Sequence, residues 1–305
     1  MISNYDLPED GAIRPISELQ KDVVGIVRCR LNSHYSCLLE RLPNLLPELT
    51  RALMTARSAE RDHAARLLVQ AYRAADAVAD KLGLHDLSAR TIQVMLWAAE
   101  QTEDEVTRAA AAYVRGEVFF CHRDFRPGRL MLERAAQKLS PTTPREWAAY
   151  GALHMRAAVL AARGGAFERA QDHLKEARAS ARLTREGVYT GTAFGPASVR
   201  VHEVTLALEA EDPGRALATA AAWSPPRQLP AERVSHFYID VAHAQTQLRR
   251  PDGALNALTS AWTVAPEHTR LHSRVATMLT QLSRAGGAQE SAAREFAAVA
   301  GITVP

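Results

Sequence analysis

Residues 249–266 read RRPDGALNALTSAWTVAP, and this stretch decides the fold. Wound as a helix, it puts Ala254, Leu258 and Ala261 on one face, with Pro251-Asp252 at its start and Pro266 just past its end. These residues stand at the spacings of the second helix of a tetratricopeptide repeat, and Ala242 upstream is the small residue that the first helix needs. Small residues let helices approach closely, but one such pair cannot bury its own apolar faces. The stretch therefore implies neighbours of its own kind.

The neighbours are present. GGAFERAQDHLKEA fits the same template through Gly165, Ala170, Leu174 and Ala177, with Ala158 before it. EDPGRALATAAAW fits through Ala216 and Ala220, and RDFRPGRLMLERAA through Gly128, Leu132 and Ala135. A fainter copy lies around Ala77 and Ala89. The matched positions 89, 128, 170, 216 and 254 are 39, 42, 46 and 38 residues apart, longer than the usual 34. The fold class that follows is all-α: a right-handed α-solenoid of stretched, degenerate tetratricopeptide-like helix pairs, with a helical bundle as the lesser reading. About fourteen helices are expected, with breaks at Gly83, Asp124 to Pro127, Gly164-Gly165, Gly187 to Pro196, Ser224 to Pro230 and Gly286-Gly287.

Residues 1–15 form a polar leader, 16–60 N-terminal helices, 61–285 the solenoid and 286–305 a cap, with Ala292, Phe296, Val299 and Ala300 on one face. Pro43 and Pro47 are expected to kink or split the helix they sit in. Val23, Val24, Ile26, Val27, Leu38, Leu39, Leu42, Leu45 and Leu46 exceed what a cap requires, and predict a homodimer through this region.

Of 37 basic residues only Lys21, Lys81, Lys138 and Lys175 are lysine, leaving 33 arginines. They are interleaved with acids, and the net charge of +3 is mild, so no nucleic-acid stripe emerges. Three cysteines, Cys29, Cys37 and Cys121, form no CxxC and no even framework, which suits buried thiols in a reducing cytoplasm. No apolar run resembles a signal peptide or approaches the roughly 20 residues of a membrane span. The expectation is a soluble, cytoplasmic protein.

With these pieces in view, the chain resembles the C-terminal tetratricopeptide-type sensor region of XRE-like transcriptional regulators from GC-rich Gram-positive bacteria. The resemblance rests on IRPISELQKDV, KLGLHDLSA, TAFGPASVRVHEVTLALE with DPGRAL after it, and LPAERVSHFYIDVAHAQTQLRRPDGALNALTSAWTVAPEHTRLHSRV, together covering roughly residues 12–285. It implies a regulatory, ligand-sensing role and dimeric action. Family members usually begin with a helix-turn-helix domain, whereas here about a dozen residues precede IRP and residues 1–60 contain no recognition helix. No direct DNA binding by this chain is expected.

In tetratricopeptide folds the first helix of each pair lines the concave surface. In that register Ser198, His202, Thr205 and Glu209 form one polar stripe framed by apolar residues, and His236, Asp240, His243 and Gln247 repeat it on the next first helix. Tyr113, Glu117 and Phe120 face the same way in an earlier pair, with Met155 and Arg156 on the first helix that follows, Arg156 placed to offset Glu117. These thirteen residues are the candidate ligand wall; mutual satisfaction of buried polar groups is the competing reading. His236, Asp240 and His243 have i, i+4, i+7 spacing, which alone is too little for a metal. His202-Glu203 opens a zincin-like motif whose second histidine position is Leu206, so that chemistry is rejected. No cofactor, no metal and no catalysis are expected. The favoured function is sensing of a small metabolite or peptide in the groove; a scaffold holding a partner segment is the alternative, and a groove-based enzyme stands third.

Overall fold

The structure is a computed structural model that describes residues 5–221, 223–284 and 287–304. It is all-helical apart from one small hairpin, with fifteen helices among the described residues. Six pairs repeat along the chain: α1 (Ile16–Leu31) with α2 (Tyr35–Thr55), α3 (Ser58–Lys81) with α4 (His85–Glu100), α5 (Glu105–Cys121) with α6 (Phe125–Gln137), α7 (Pro144–Arg163) with α8 (Phe167–Ala181), α9 (Pro196–Glu209) with α10 (Pro213–Ala220), and α11 (Ala231–Gln247) with α12 (Pro251–Val264). Short α13 (Pro266–Leu271) and then α14 (Ser273–Leu282) and α15 (Gly287–Ala300) follow. From α3 on, each first helix also packs on the next one, α3 on α5, α5 on α7, α7 on α9, α9 on α11 and α11 on α14. No helix among the described residues is long and apolar enough to cross a membrane.

One backbone device joins every pair. The residue ending each tight turn adopts a left-handed conformation: Ser33, Gly83, Arg123, Gly165, Glu211 and Arg249, with φ between 54° and 74°. The next N–H reaches back five residues, as in His34 to Cys29 O, Leu84 to Ala79 O, Asp124 to Phe119 O, Ala166 to Ala161 O, Asp212 to Ala207 O and Arg250 to Gln245 O. This bond occupies a carbonyl that the end of the first helix leaves without an intrahelical donor. Glycine holds that position in only two of the six turns.

The small residues sit where close approach is needed. Ala158, Ala170, Ala177, Ala242, Ala254 and Ala261 are all buried, and a Cβ on Gly128 would lie 2.6 Å from that of Phe119. The turn register corrects one assignment. Four residues into each second helix after the residue preceding it stand Gly128, Ala170, Ala216 and Ala254, and in α4 that place belongs to Ser88, not Ala89. Ala89 is only half-buried, whereas Ser88 is buried and donates to Asp76 Oδ1 at 2.6 Å.

Three further expectations change. Pro43 and Pro47 do not split α2, which runs unbroken through both: Pro43 lies on the exposed side, while Leu38, Leu42, Leu45, Leu46, Leu49 and Leu53 pack inward. Of the nine apolar residues offered for a dimer, Val23, Ile26, Leu38, Leu42, Leu45 and Leu46 are buried in the chain's own core and Val27 is half-buried, leaving Val24 and Leu39 exposed. Cys29 and Cys37 are joined as a disulfide across the α1–α2 turn, which brings their Cα atoms to 6.4 Å, so the cysteine pattern no longer argues for a reducing compartment. Cys121 is free and exposed.

The expected break at Gly187 to Pro196 separates α8 from α9 and holds an unforeseen hairpin of β1 (Gly187–Tyr189) and β2 (Thr192–Phe194), in antiparallel register with Tyr189 opposite Thr192. Its two-residue turn, Thr190-Gly191, has φ of 47° and 76°, the sign pattern of a type I′ turn. Phe194, fully buried, packs so closely on α7 that only a glycine fits at 151. The expected break at Gly286-Gly287 falls partly on Gly286, outside the described residues, as do residues 1–4 of the leader. The rest of the leader is tied down, with Tyr5 against Trp97 at 4.8 Å between ring centroids and Arg14 held by Glu48 at 2.8 Å.

A candidate ligand cavity

The first helices converge on one cavity of about 350 Å³. Arg73, Asp76, Ala77 and Asp80 come from α3; Tyr113, Glu117 and Phe120 from α5; Arg156, Val159 and Arg163 from α7; His202 and Thr205 from α9. Within each helix the members recur at intervals of three or four, so each contributes one face. Glu232, Arg233 and His236 of α11, His268 of α13 and Arg30 at the end of α1 continue the wall, and Gly191 and Ala193 of the hairpin cover one side. The first pair also meets α13: Ser36 N–H and Oγ, at the start of α2, donate to the Glu267 carboxylate at 3.0 and 2.8 Å.

Charge dominates the lining. Six basic side chains, Arg30, Arg73, Lys81, Arg156, Arg163 and Arg233, face four acids, Asp76, Asp80, Glu117 and Glu232. Arg156 pairs with Glu117 and lies 3.8 Å above the centre of the Tyr113 ring, so the offset anticipated for Glu117 forms and a cation–π contact accompanies it. Burial pushes the Tyr113 phenol up, but the Arg156, Arg233 and Arg73 charges outweigh it and hold the group at about 8. Arg163 covers Phe120 at 4.7 Å and bonds Glu209 at 3.1 Å. Burial, opposed by the Ser88 hydrogen bond, pushes the Asp76 carboxyl up to about 7.

His202 has a fixed role. Its Nδ1 lies 3.0 Å from Ser198 O, which only a protonated nitrogen satisfies, so Nε2 is left to accept from Arg233 Nη1 at 3.3 Å. Burial and the Arg233 charge hold this ring neutral. His236 is likewise pushed down to about 3 by burial with Arg233 and Arg274.

Seven of the thirteen sequence candidates line the cavity: Tyr113, Glu117, Phe120, Arg156, His202, Thr205 and His236. The other six do not. Met155 is core. Ser198 is fully buried and donates to Glu186 Oε1 at 2.6 Å, while Glu186 Oε2 accepts the N–H groups of Ala197 and Ser198 and so caps α9. Asp240, also fully buried, accepts from Thr205 at 2.6 Å and Arg274 at 3.1 Å, and Arg274 bonds Glu209 at 3.0 Å. His243 is half-buried and Gln247 exposed, outside the lining. The stripe of each helix is longer than the cavity, and beyond its edge the same face meets neighbouring helices. Sequence reasoning missed Arg30, Arg73, Arg233 and the hairpin; the three-and-four spacing of Arg73, Asp76 and Asp80 was the available signal.

Among the described residues one group of three metal-ligating side chains converges, and it is not the His236, Asp240 and His243 set. Asp80, His85 and Cys121 place one donor atom each within 4.8 Å of one another at the cavity's rim, with Cys121 Sγ 3.5 Å from His85 Nδ1. The mixed donors suit zinc or a similar ion, but Lys81 Nζ, 3.2 Å from Asp80, competes for that carboxylate. The chain matches no protein-family model, and no curated protein matches it significantly.

Proposed function

We propose that this chain is a ligand-sensing regulatory module, an α-solenoid of tetratricopeptide-like pairs that holds a small molecule inside its concave face. The observation that carries the reading is the cavity itself, built from the first helix of successive pairs and covered by the hairpin. Six turns of one design support a repeat origin. Of the two ligand classes the groove suggests, a volume of about 350 Å³ fits a metabolite better than an extended peptide. The role is binding and not catalysis, because His202, the best-placed base, has both ring nitrogens engaged, Nδ1 by Ser198 O and Nε2 by Arg233. The resemblance to sensor regions of XRE-like regulators agrees with this reading.

Native mass spectrometry of the purified chain tests it. A bound mass of metabolite size is expected, released on denaturation and absent from Tyr113→Ala. A bare native mass, together with a melting temperature that no member of a broad metabolite panel shifts, would overturn the proposal.

A further inference from the structure

Arg30 and Arg73 raise a charge-balance problem on the hairpin side of the cavity. Both are buried, with 6% and 8% of their surface exposed. Arg30 Nη2 donates to Gly191 O, and Arg73 Nη1 donates to Thr192 Oγ1 at 2.7 Å and Thr190 O at 3.3 Å, so every one of these acceptors is neutral. Among the described residues one carboxylate, Glu232, comes within 4.0 Å of Arg30, and none lies within 4 Å of the Arg73 guanidinium. Arg30 Nε is buried without any partner.

Nearby acids are already engaged. Glu117 is held by Arg156 and Asp80 by Lys81, while Asp76 bonds Ser88. Arg233, the third cation on this wall, bonds the neutral ring of His202 and, among the described residues, has no carboxylate within 4 Å. Buried guanidinium groups in folded proteins are normally paired, because an uncompensated charge in a low-dielectric site is costly. Burial and the neighbouring Arg30 charge pull the Arg73 group down to about 9, which still leaves it cationic at neutral pH.

From Arg73, a buried guanidinium with no carboxylate within 4 Å among the described residues, and Arg30 beside it, which has one distant carboxylate at 4.0 Å and an unpartnered Nε, both facing a cavity of metabolite size, we infer that the ligand carries an oxyanion, a carboxylate or phosphate, that binds between Arg30 and Arg73. This deepens the ligand-sensing reading and rests on it. Planar guanidinium forks match oxyanions through parallel hydrogen bonds, and Arg30 Nε is a donor left for one. The Tyr113 ring, 5.6 Å from the Arg73 guanidinium, supplies an aromatic surface for the remainder of the molecule.

The test uses the full chain, stripped of any bound molecule by unfolding and refolding, with inorganic phosphate and benzoate as probes and chloride at matched ionic strength as control. Calorimetric titration should show saturable binding of phosphate, benzoate or both, and none of chloride; which probe binds distinguishes a phosphate from a carboxylate ligand. Arg73→Met should weaken that binding at least tenfold, and Arg73→Lys, which keeps the charge but not the fork, should weaken it less. If Arg73→Met does not fold, Arg30→Met and Arg73→Lys carry the comparison. Failure of both probes, or equal affinity in the wild type and the arginine variants, overturns the oxyanion assignment. A neutral co-purified molecule found by native mass spectrometry would also overturn it while leaving the ligand-sensing reading intact, and absence of any ligand would sink the broader reading as well.

Discussion

Asp240→Ala separates a staple from a ligand contact. The carboxylate is fully buried, accepts from Thr205 Oγ1 at 2.6 Å and Arg274 Nη1 at 3.1 Å, and lies 3.5 Å from His236 Nε2. Removing one partner of a buried ion pair costs about 3–5 kcal/mol. Here Arg274 is 28% exposed and keeps Glu209 at 3.0 Å, and Thr205 keeps a bond to Val201 O at 3.3 Å, so the lower end applies, about 3 kcal/mol. Asp240→Asn preserves volume and an acceptor for Thr205 but loses the charge opposite Arg274, for about 1–2 kcal/mol. Urea unfolding followed by circular dichroism at 222 nm should place the alanine midpoint about 1 M lower, taking m near 3 kcal/mol/M. Oxyanion affinity should stay unchanged, since Asp240 does not line the cavity. A loss below about 0.5 kcal/mol would refute the staple, and so would a coupling near zero in a double-mutant cycle with Arg274→Met.

Gly151→Ala should displace Phe194, because the new Cβ would meet its ring edge; the net cost is about 1–3 kcal/mol by thermal melting, with oxyanion affinity falling because the hairpin carries the partners of Arg30 and Arg73. His202, His236, His268 and His272 all titrate below their ordinary value, chiefly through burial. The unfolded chain therefore takes up their protons first, and stability should fall as pH drops below about 6.5; His268→Gln should reduce that slope by about 1.4 kcal/mol per pH unit, read from urea midpoints at pH 7, 6 and 5. Asp76 acts in the opposite sense, since its raised value makes the folded state bind a proton between the unfolded value and about 7, so Asp76→Asn should steepen the acid loss. Glycine at Arg249 or Glu211, where φ is 54° and 56°, should raise stability by about 0.5–1 kcal/mol by relieving the left-handed strain, as differential calorimetry would register.

What was legible in the sequence follows from which forces leave a periodic trace. Close helix packing demands a small residue at a fixed place, so Ala170, Ala216 and Ala254 announced their pairs, while Ser88, equally buried, hid the α3–α4 register because serine has no fixed meaning in a helix. Helical stripes brought Tyr113, Glu117, Arg156, His202 and His236 to the cavity lining, since a cavity among first helices selects one face of each. They misplaced Ser198, Glu209 and Asp240, because where a stripe leaves the cavity depends on neighbours from elsewhere in the chain: Glu186, Arg163 and Arg274. The hairpin left almost no trace. Its strands are three residues long, and Thr190 occupies a turn position where asparagine or glycine would have signalled it. Arg30 is a surface-type residue in the last turn of α1, and only contact with Gly191, 161 residues away, gives it meaning.

The contact between Ser36 and Glu267 constrains how this architecture can evolve. Linear arrays of helix pairs gain or lose a unit with little harm, because each touches only the next. Here residues 231 positions apart in sequence form two hydrogen bonds, so the first pair meets the helix that follows the sixth. Duplicating or deleting one pair would carry Glu267 away from Ser36 and resize the cavity at once. Point substitution of lining side chains therefore remains as the open route to a new ligand, with the number of pairs frozen.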